Sequence, residues 1–168
     1  CWVQDSRLVV LNARDAEARG ATILTGTRVL SASREGDLWE VVTERADGTR
    51  AVHHARALVN AGGPWVEDVI RNVTRINSSE GVRLVRGSHI VTRKLYDHDR
   101  CYFFQGTDGR IIFAIPYEQD FTLIGTTDKD HTGRPGDVRC TDEERDYLCA
   151  FASQYFARPV TPADVVWT

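Results

Sequence analysis

The 168-residue chain contains no methionine. It opens on Cys1-Trp2-Val3-Gln4 and closes on Val165-Val166-Trp167-Thr168, apolar stretches where native termini are usually loosely held and polar, so we expect a piece excised from a longer protein. No apolar run approaches the roughly 18 residues of a membrane-spanning helix, which excludes a transmembrane reading of these residues. Positive charge is not in excess either. A net charge of −3 gives no bulk attraction to nucleic acid, so no nucleic-acid partner is expected. Cysteine is sparse, with residues at 1, 101, 140 and 149 and no C-x-x-C pair, and reduced thiols are expected rather than disulfides or zinc. Metal ligands are missing where the sequence hints at them. Asp128-Lys129-Asp130-His131-Thr132-Gly133 resembles the start of a calcium loop, but Arg139 stands where the bidentate glutamate is needed and Pro135 interrupts the run. His53 and His54 lie on one hairpin strand and face opposite ways, so they do not share an ion. No metal site is expected.

What is present is ordinary soluble-protein composition, 42% hydrophobic and 27% charged, on a chain long enough for a real core. The stretch Ala57-Leu58-Val59-Asn60-Ala61-Gly62-Gly63-Pro64-Trp65 reads as a short strand buried on both faces, a two-glycine turn and a helix start. Pro64 suits the first helical position, and Glu67 and Asp68 complement the positive end of the helix dipole. Such a junction is either a plain tight turn or a place where backbone N–H groups meet a ligand.

Before that junction, Asp5 is the expected cap of a helix that stops at Gly20. The segments 21–33, 38–44 and 50–55 then read as strands of a meander, turning at Arg34-Glu35-Gly36-Asp37 and Ala46-Asp47-Gly48-Thr49. Asn77-Ser78-Ser79-Glu80-Gly81 is a polar break and the expected domain boundary. Beyond it, segments 82–92, 102–105, 110–116 and 121–126 are strand candidates of an antiparallel sheet. Thr141-Asp142-Glu143-Glu144 has the form of a capping box opening a helix through Phe156, and residues 164–167 return to extended chain. The expected fold class is therefore α/β plus α+β: residues 1–75 with helix, three-stranded meander, buried strand and helix, then residues 76–168 with an antiparallel sheet and a helix.

Chemistry-bearing residues concentrate around Arg86-Gly87-Ser88-His89-Ile90-Val91. Gly87 and Ser88 interrupt a strand pattern, as at a bulge or a close approach. His89 is there either as a structural residue or as an acid/base or donor toward a substrate hydroxyl. Arg83, Arg86, Arg93 and Lys94 offer forks and a point charge for an anionic group, or form a solvated edge that discourages strand pairing.

Taken together, Asp5-Ser6-Arg7-Leu8-Val9-Val10-Leu11-Asn12-Ala13, Leu58-Val59-Asn60-Ala61-Gly62-Gly63-Pro64-Trp65-Val66, Val82-Arg83-Leu84-Val85-Arg86-Gly87-Ser88-His89-Ile90-Val91, Ile124-Gly125-Thr126-Thr127-Asp128 and Asp164-Val165-Val166-Trp167-Thr168 closely resemble the aerobic, FAD-dependent glycerol-3-phosphate dehydrogenases of bacteria. The likeness covers essentially the whole chain. The N-A-x-G-P-W block recurs across the wider family of amino-acid-oxidase-like flavoproteins, whereas R/K-G-S-H-I-V followed by I-G-T-T-D is much more specific.

The resemblance implies oxidation of sn-glycerol 3-phosphate to dihydroxyacetone phosphate, with FAD as cofactor and quinone as onward acceptor. It implies a protein peripheral to the cytoplasmic face of the plasma membrane, docked through parts outside this chain. By the same likeness residues 1–75 belong to the FAD domain and 76–168 to the substrate domain. Val29 would contribute backbone contacts at the adenine end, Ala61, Gly62 and Gly63 would pass close to the cofactor, and His89 would face the substrate hydroxyl. Arg86 would be a substrate-binding cation; it stands where members often carry lysine, so a planar fork replaces a point donor. The G-x-G-x-x-G fingerprint would precede Cys1 and a Y-S-G-V-R-P-L segment would follow Thr168, so the piece alone is expected to be inactive and to bind FAD weakly or not at all. Two alternatives remain: an oxidase of the same superfamily that releases peroxide, and a non-catalytic interaction domain.

Overall fold

The structure, a computed structural model, describes residues 3–79 and 81–168. They form two compact units, Val3–Val82 and Arg83–Thr168.

The first unit opens with helix α1 (Asp5–Ala18). Its cap is not Asp5, as expected, but Gln4, which makes no side-chain hydrogen bond; Asp5 lies in the first turn, where its carboxylate complements the helix dipole. Three antiparallel strands follow as a meander, β1 (Thr27–Glu35), β2 (Leu38–Arg45) and β3 (Arg50–Ala55), in the order β1-β2-β3. The register between β1 and β2 shifts between Val29 and Ser31, a bulge on β1. The expected buried strand at 57–61 does not form. Among the described residues the outer edge of β3 stays unpaired, and Val59 is 84% exposed, without the cover a strand buried on both faces needs. Among the described residues both sheets of three or more strands are antiparallel, so the α/β part of the expected fold class is not realised as a parallel sheet.

The helix after Pro64 does form, in three short pieces: a 3-10 turn (Gly63–Trp65), one α turn, α2 (Val66–Asp68), and a π turn (Val69–Val73). The two units part at Val82/Arg83, beyond the expected break, whose Glu80 lies outside the described residues. Within the first unit the Val82 N–H donates to the Glu67 carboxylate at 3.2 Å.

In the second unit the long strand expected over 82–92 is split at Gly87-Ser88 into β4 (Val85–Arg86) and β5 (His89–Arg93). It continues through β6 (Tyr102–Gln105), β7 (Ile111–Tyr117), β8 (Phe121–Gly125), β9 (Lys129–Asp130), helix α3 (Asp142–Ala152) and β10 (Val165–Trp167). The five-stranded sheet has the order β10-β5-β8-β7-β6, while β4 and β9 pair separately. Thr141 caps α3 in the expected capping box.

Strand alternation gives this sheet two unlike faces. One cross-strand row is Ile90, Ile124, Ala114 and Tyr102. Ile90, Ile124 and Ala114 are fully buried and pack with Ile112, Leu148, Phe151 and Ala152, which makes this the face covered by α3. The adjacent row, His89, Gly125, Phe113 and Phe103, therefore lies on the opposite face. There Phe103 is 60% and Phe113 40% exposed. Ile124→Ala should lower stability in a denaturant titration by about 2–5 kcal/mol, because it opens a cavity in a closed core, whereas Phe103→Ala in this chain should change it far less.

Candidate active site around His89

Three glycines shape the ground on which the expected site residues stand. Gly125 is the register partner of His89, and a Cβ there would overlap the imidazole, so the ring rests against bare backbone. Gly87, at the split between β4 and β5, has no room for a Cβ because Thr126 Oγ1 and the Thr127 carbonyl stand against it. Gly63 takes a left-handed φ of +54°, which the turn after Ala61 requires.

The chain around His89 is fixed by a buried carboxylate that the sequence showed only as part of a helix cap. Glu144 is 1% exposed and accepts four hydrogen bonds. Arg86 Nη2 donates to Oε2 at 3.0 Å, and the Thr141 N–H and hydroxyl donate to the same oxygen at 3.1 and 3.0 Å. Thr127 Oγ1 donates to Oε1 at 3.0 Å. Thr127 in turn brackets Ser88: its hydroxyl accepts the Ser88 N–H at 2.8 Å, and its own N–H donates to the Ser88 carbonyl at 3.2 Å. Ser88 immediately precedes His89, so Glu144 holds the strand break from both sides, through Arg86 before Gly87 and through Thr127 after it.

Burial alone would push the Glu144 carboxyl up, but the Thr141 amide and hydroxyl, the Thr127 hydroxyl and the Arg86 charge outweigh it, and the acid ends below its ordinary value. Arg86, expected as a substrate-binding cation, thus has one arm on Glu144, with its side chain 21% exposed. Its Nε is buried with no hydrogen-bond partner, as is the Ser88 hydroxyl.

The other expected residues belong to the first unit. Val29 sits on β1 at the bulge, opposite Thr43. Ala61, Gly62 and Gly63 form the turn before Pro64, and Asn60 fastens it, a role not read from the sequence. Its Oδ1 accepts the Gly62 N–H at 3.1 Å and its Nδ2 donates to the Val66 carbonyl at 3.0 Å. Besides Asn60, sequence reasoning missed Glu144, Thr127, Gly125 and Phe113. Counting the strict alternation of 111–117 and 121–125 was the available signal for Gly125 and Phe113; the Glu144–Arg86 pair spans 58 positions and leaves no local trace. Cys101, Cys140 and Cys149 are free thiols, and Cys1 lies outside the described residues. No helix among the described residues is long and apolar enough to cross a membrane.

The chemistry available at His89 is that of an exposed imidazole on an apolar, aromatic sheet face, able to exchange a proton with a hydroxyl brought beside it. Phe113 and Phe103 stand on that same face with their rings 5.4 Å apart and nearly perpendicular, and Gly125 adds no bulk between Phe113 and His89.

The Glu144 contacts carry a pH signature. Because the folded acid lies below its ordinary value of 4.5, its stabilisation is full above that pH and is lost as pH falls through the lowered value. Glu144→Gln should therefore cost about 3–5 kcal/mol near neutrality, and the gap from the parent should shrink toward pH 3 in denaturant titrations. A gap of equal size at both pH values would contradict this assignment.

Comparison with known proteins gives the family. A glycerol-3-phosphate dehydrogenase of Pseudomonas tolaasii is 46% identical over 168 residues, covering 100% of this chain and 33% of its own length. A D-erythritol 1-phosphate dehydrogenase of Brucella abortus is 48% identical over 167 residues, 99% of this chain and 33% of its own. The crystal structure of the glycerol-3-phosphate dehydrogenase from Bacillus halodurans complexed with FAD superposes with a TM-score of 0.81 at 33% identity, over 96% of this chain and 33% of that one. The chain thus spans about a third of the length of the curated relatives it matches. The family model for FAD dependent oxidoreductases matches residues 1–168, and the chain belongs to that family.

Proposed function

We propose that the full-length protein carrying this chain oxidises sn-glycerol 3-phosphate to dihydroxyacetone phosphate. The observation that carries this reading is the placement of His89: its ring rests on Gly125, on the sheet face left open by α3 and across Gly125 from Phe113. His89 takes the proton of the substrate hydroxyl as the carbinol becomes a ketone. FAD, when bound, supplies the hydride acceptor for that oxidation. Phe113 and Phe103 keep water from the reacting face, and Arg86, with one arm on Glu144, is the cation nearest the strand break to receive the substrate phosphate. In the first unit, Ala61, Gly62 and Gly63, held by Asn60, bring backbone rather than side chain toward the cofactor, and Val29 offers backbone at the bulge. The division of labour is an FAD-binding part in the first unit and a substrate-binding part in the second. Onward transfer to quinone at the cytoplasmic membrane surface completes the reading through parts outside this chain.

A second reading concerns substrate length. The Brucella abortus relative, named for D-erythritol 1-phosphate, matches as well as those named for glycerol 3-phosphate, so the residues in this chain are compatible with a longer polyol phosphate. Comparing kcat/KM for the two substrates decides between them, and we expect glycerol 3-phosphate to be preferred.

With an artificial electron acceptor, His89→Ala in the full-length protein should lose roughly a hundredfold or more in kcat at unchanged flavin content. Unchanged turnover would make His89 structural and place the base elsewhere.

A further inference from the structure

We infer that Glu144 is a positioning residue for His89, acting at a distance through Thr127 and Ser88; the inference rests on the role for His89 proposed above. A carboxylate that is 1% exposed needs compensation for every hydrogen bond it loses to water, and a helix cap alone would use only one of its oxygens. Here Oε2 serves the cap and Arg86, while Oε1 takes the Thr127 hydroxyl. That second contact is not needed to start α3. What it does is orient Thr127 Oγ1 so that its lone pair meets the Ser88 N–H at 2.8 Å. A hydroxyl has one proton: once it is given to Glu144, the oxygen is left as acceptor, which is the polarity the Ser88 amide requires.

The consequence for His89 is geometric. The β5–β8 ladder reaches His89 opposite Gly125, and beyond this pair the strand regularity ends at the Gly87-Ser88 break. Ser88 and Thr127 then stand in for the missing ladder rungs, one through backbone and side chain, the other through backbone alone. The backbone feeding the imidazole is therefore tied to Glu144 on one side, and its ring is seated against the Gly125 backbone on the other. Loss of the carboxylate would free the Thr127 hydroxyl to rotate and leave the Ser88 amide buried without an acceptor, shifting the imidazole from its seat. Catalytic groups displaced by as little as ~1 Å can lose on the order of a hundredfold in rate. Substrate binding through groups elsewhere would be little affected, so the loss should appear in kcat.

The test is a double-mutant cycle in the full-length, FAD-loaded protein, assayed with glycerol 3-phosphate and an artificial acceptor. Glu144→Gln and, independently, Thr127→Val should each lower kcat by about tenfold or more with KM changed less than about threefold and flavin content retained. Thr127→Ser, which restores the hydroxyl, should recover most of that loss. In a His89→Ala background, neither Glu144→Gln nor Thr127→Val should lower kcat further, because their effect passes through the imidazole. Thr127→Val leaves the buried Glu144–Arg86 pair in place and keeps the test decisive if Glu144→Gln fails to fold. Losses that add in full to that of His89→Ala, or a Thr127→Val protein with parental kcat, would overturn the inference while leaving the role of His89 standing. A His89→Ala protein with parental turnover would overturn both.

Discussion

The structure of the second unit depends on one buried charge. Glu144 gathers the N-terminus of α3, the last residue of β4 and the segment after β8 onto a single carboxylate. Oε2 keeps two of its three donors if one is lost, whereas Oε1 depends on the Thr127 hydroxyl, so the cluster is most sensitive at Thr127. The cluster also reconciles two demands that conflict locally. The strand must break at Gly87, where a close backbone approach forbids a side chain, yet the residue two positions on must be held in a defined orientation. A break normally loosens the residues next to it. Thr127 and Glu144 supply from outside the strand the fixity that the broken ladder no longer gives.

The second constraint is the alternation of β-strands. Because successive side chains point to opposite faces, the same five strands give α3 a closed aliphatic surface through Ile90, Ile124 and Ala114, and present His89, Phe113 and Phe103 on the reverse. A slip of one residue in β8 would place a side chain of isoleucine or threonine size beneath the imidazole in place of Gly125, and would turn Ile124 out of the core. Core packing and site geometry are thus fixed by one register.

Much of this was legible in the sequence, and the parts that were not share a physical cause. The strands 38–44, 50–55, 102–105 and 121–125 and the capping box at Thr141 arise from short-range patterning, which the structure repeats within a residue or two, whereas the first strand of the meander begins only at Thr27 and not at Ala21. The break at Gly87-Ser88 was readable too, because glycine inside a strand pattern costs stability and signals a close approach. Asp5 failed as a cap because the chain entered the helix one residue earlier, a choice that propensity does not separate finely. The strand at 57–61 failed for another reason. Its apolar run matches a sheet interior, but such a strand is held by pairing and cover, and among the described residues no strand pairs with it. Glu144 and Thr127 were visible only as a cap residue and as part of a motif; their meeting with Arg86 and Ser88 depends on contacts between distant segments that no local pattern encodes.

The central claim is that the open face of the second unit, with His89 seated on Gly125, is where the substrate carbinol is held. A crystal structure of the full-length protein with FAD and glycerol 3-phosphate bound tests it most directly. The account predicts a His89 ring nitrogen within about 2.6–3.2 Å of the substrate hydroxyl, on the side of the sheet that carries Phe113 and Phe103. A substrate lying beyond reach of His89, or a flavin that leaves the Phe113 face in open water, would contradict it.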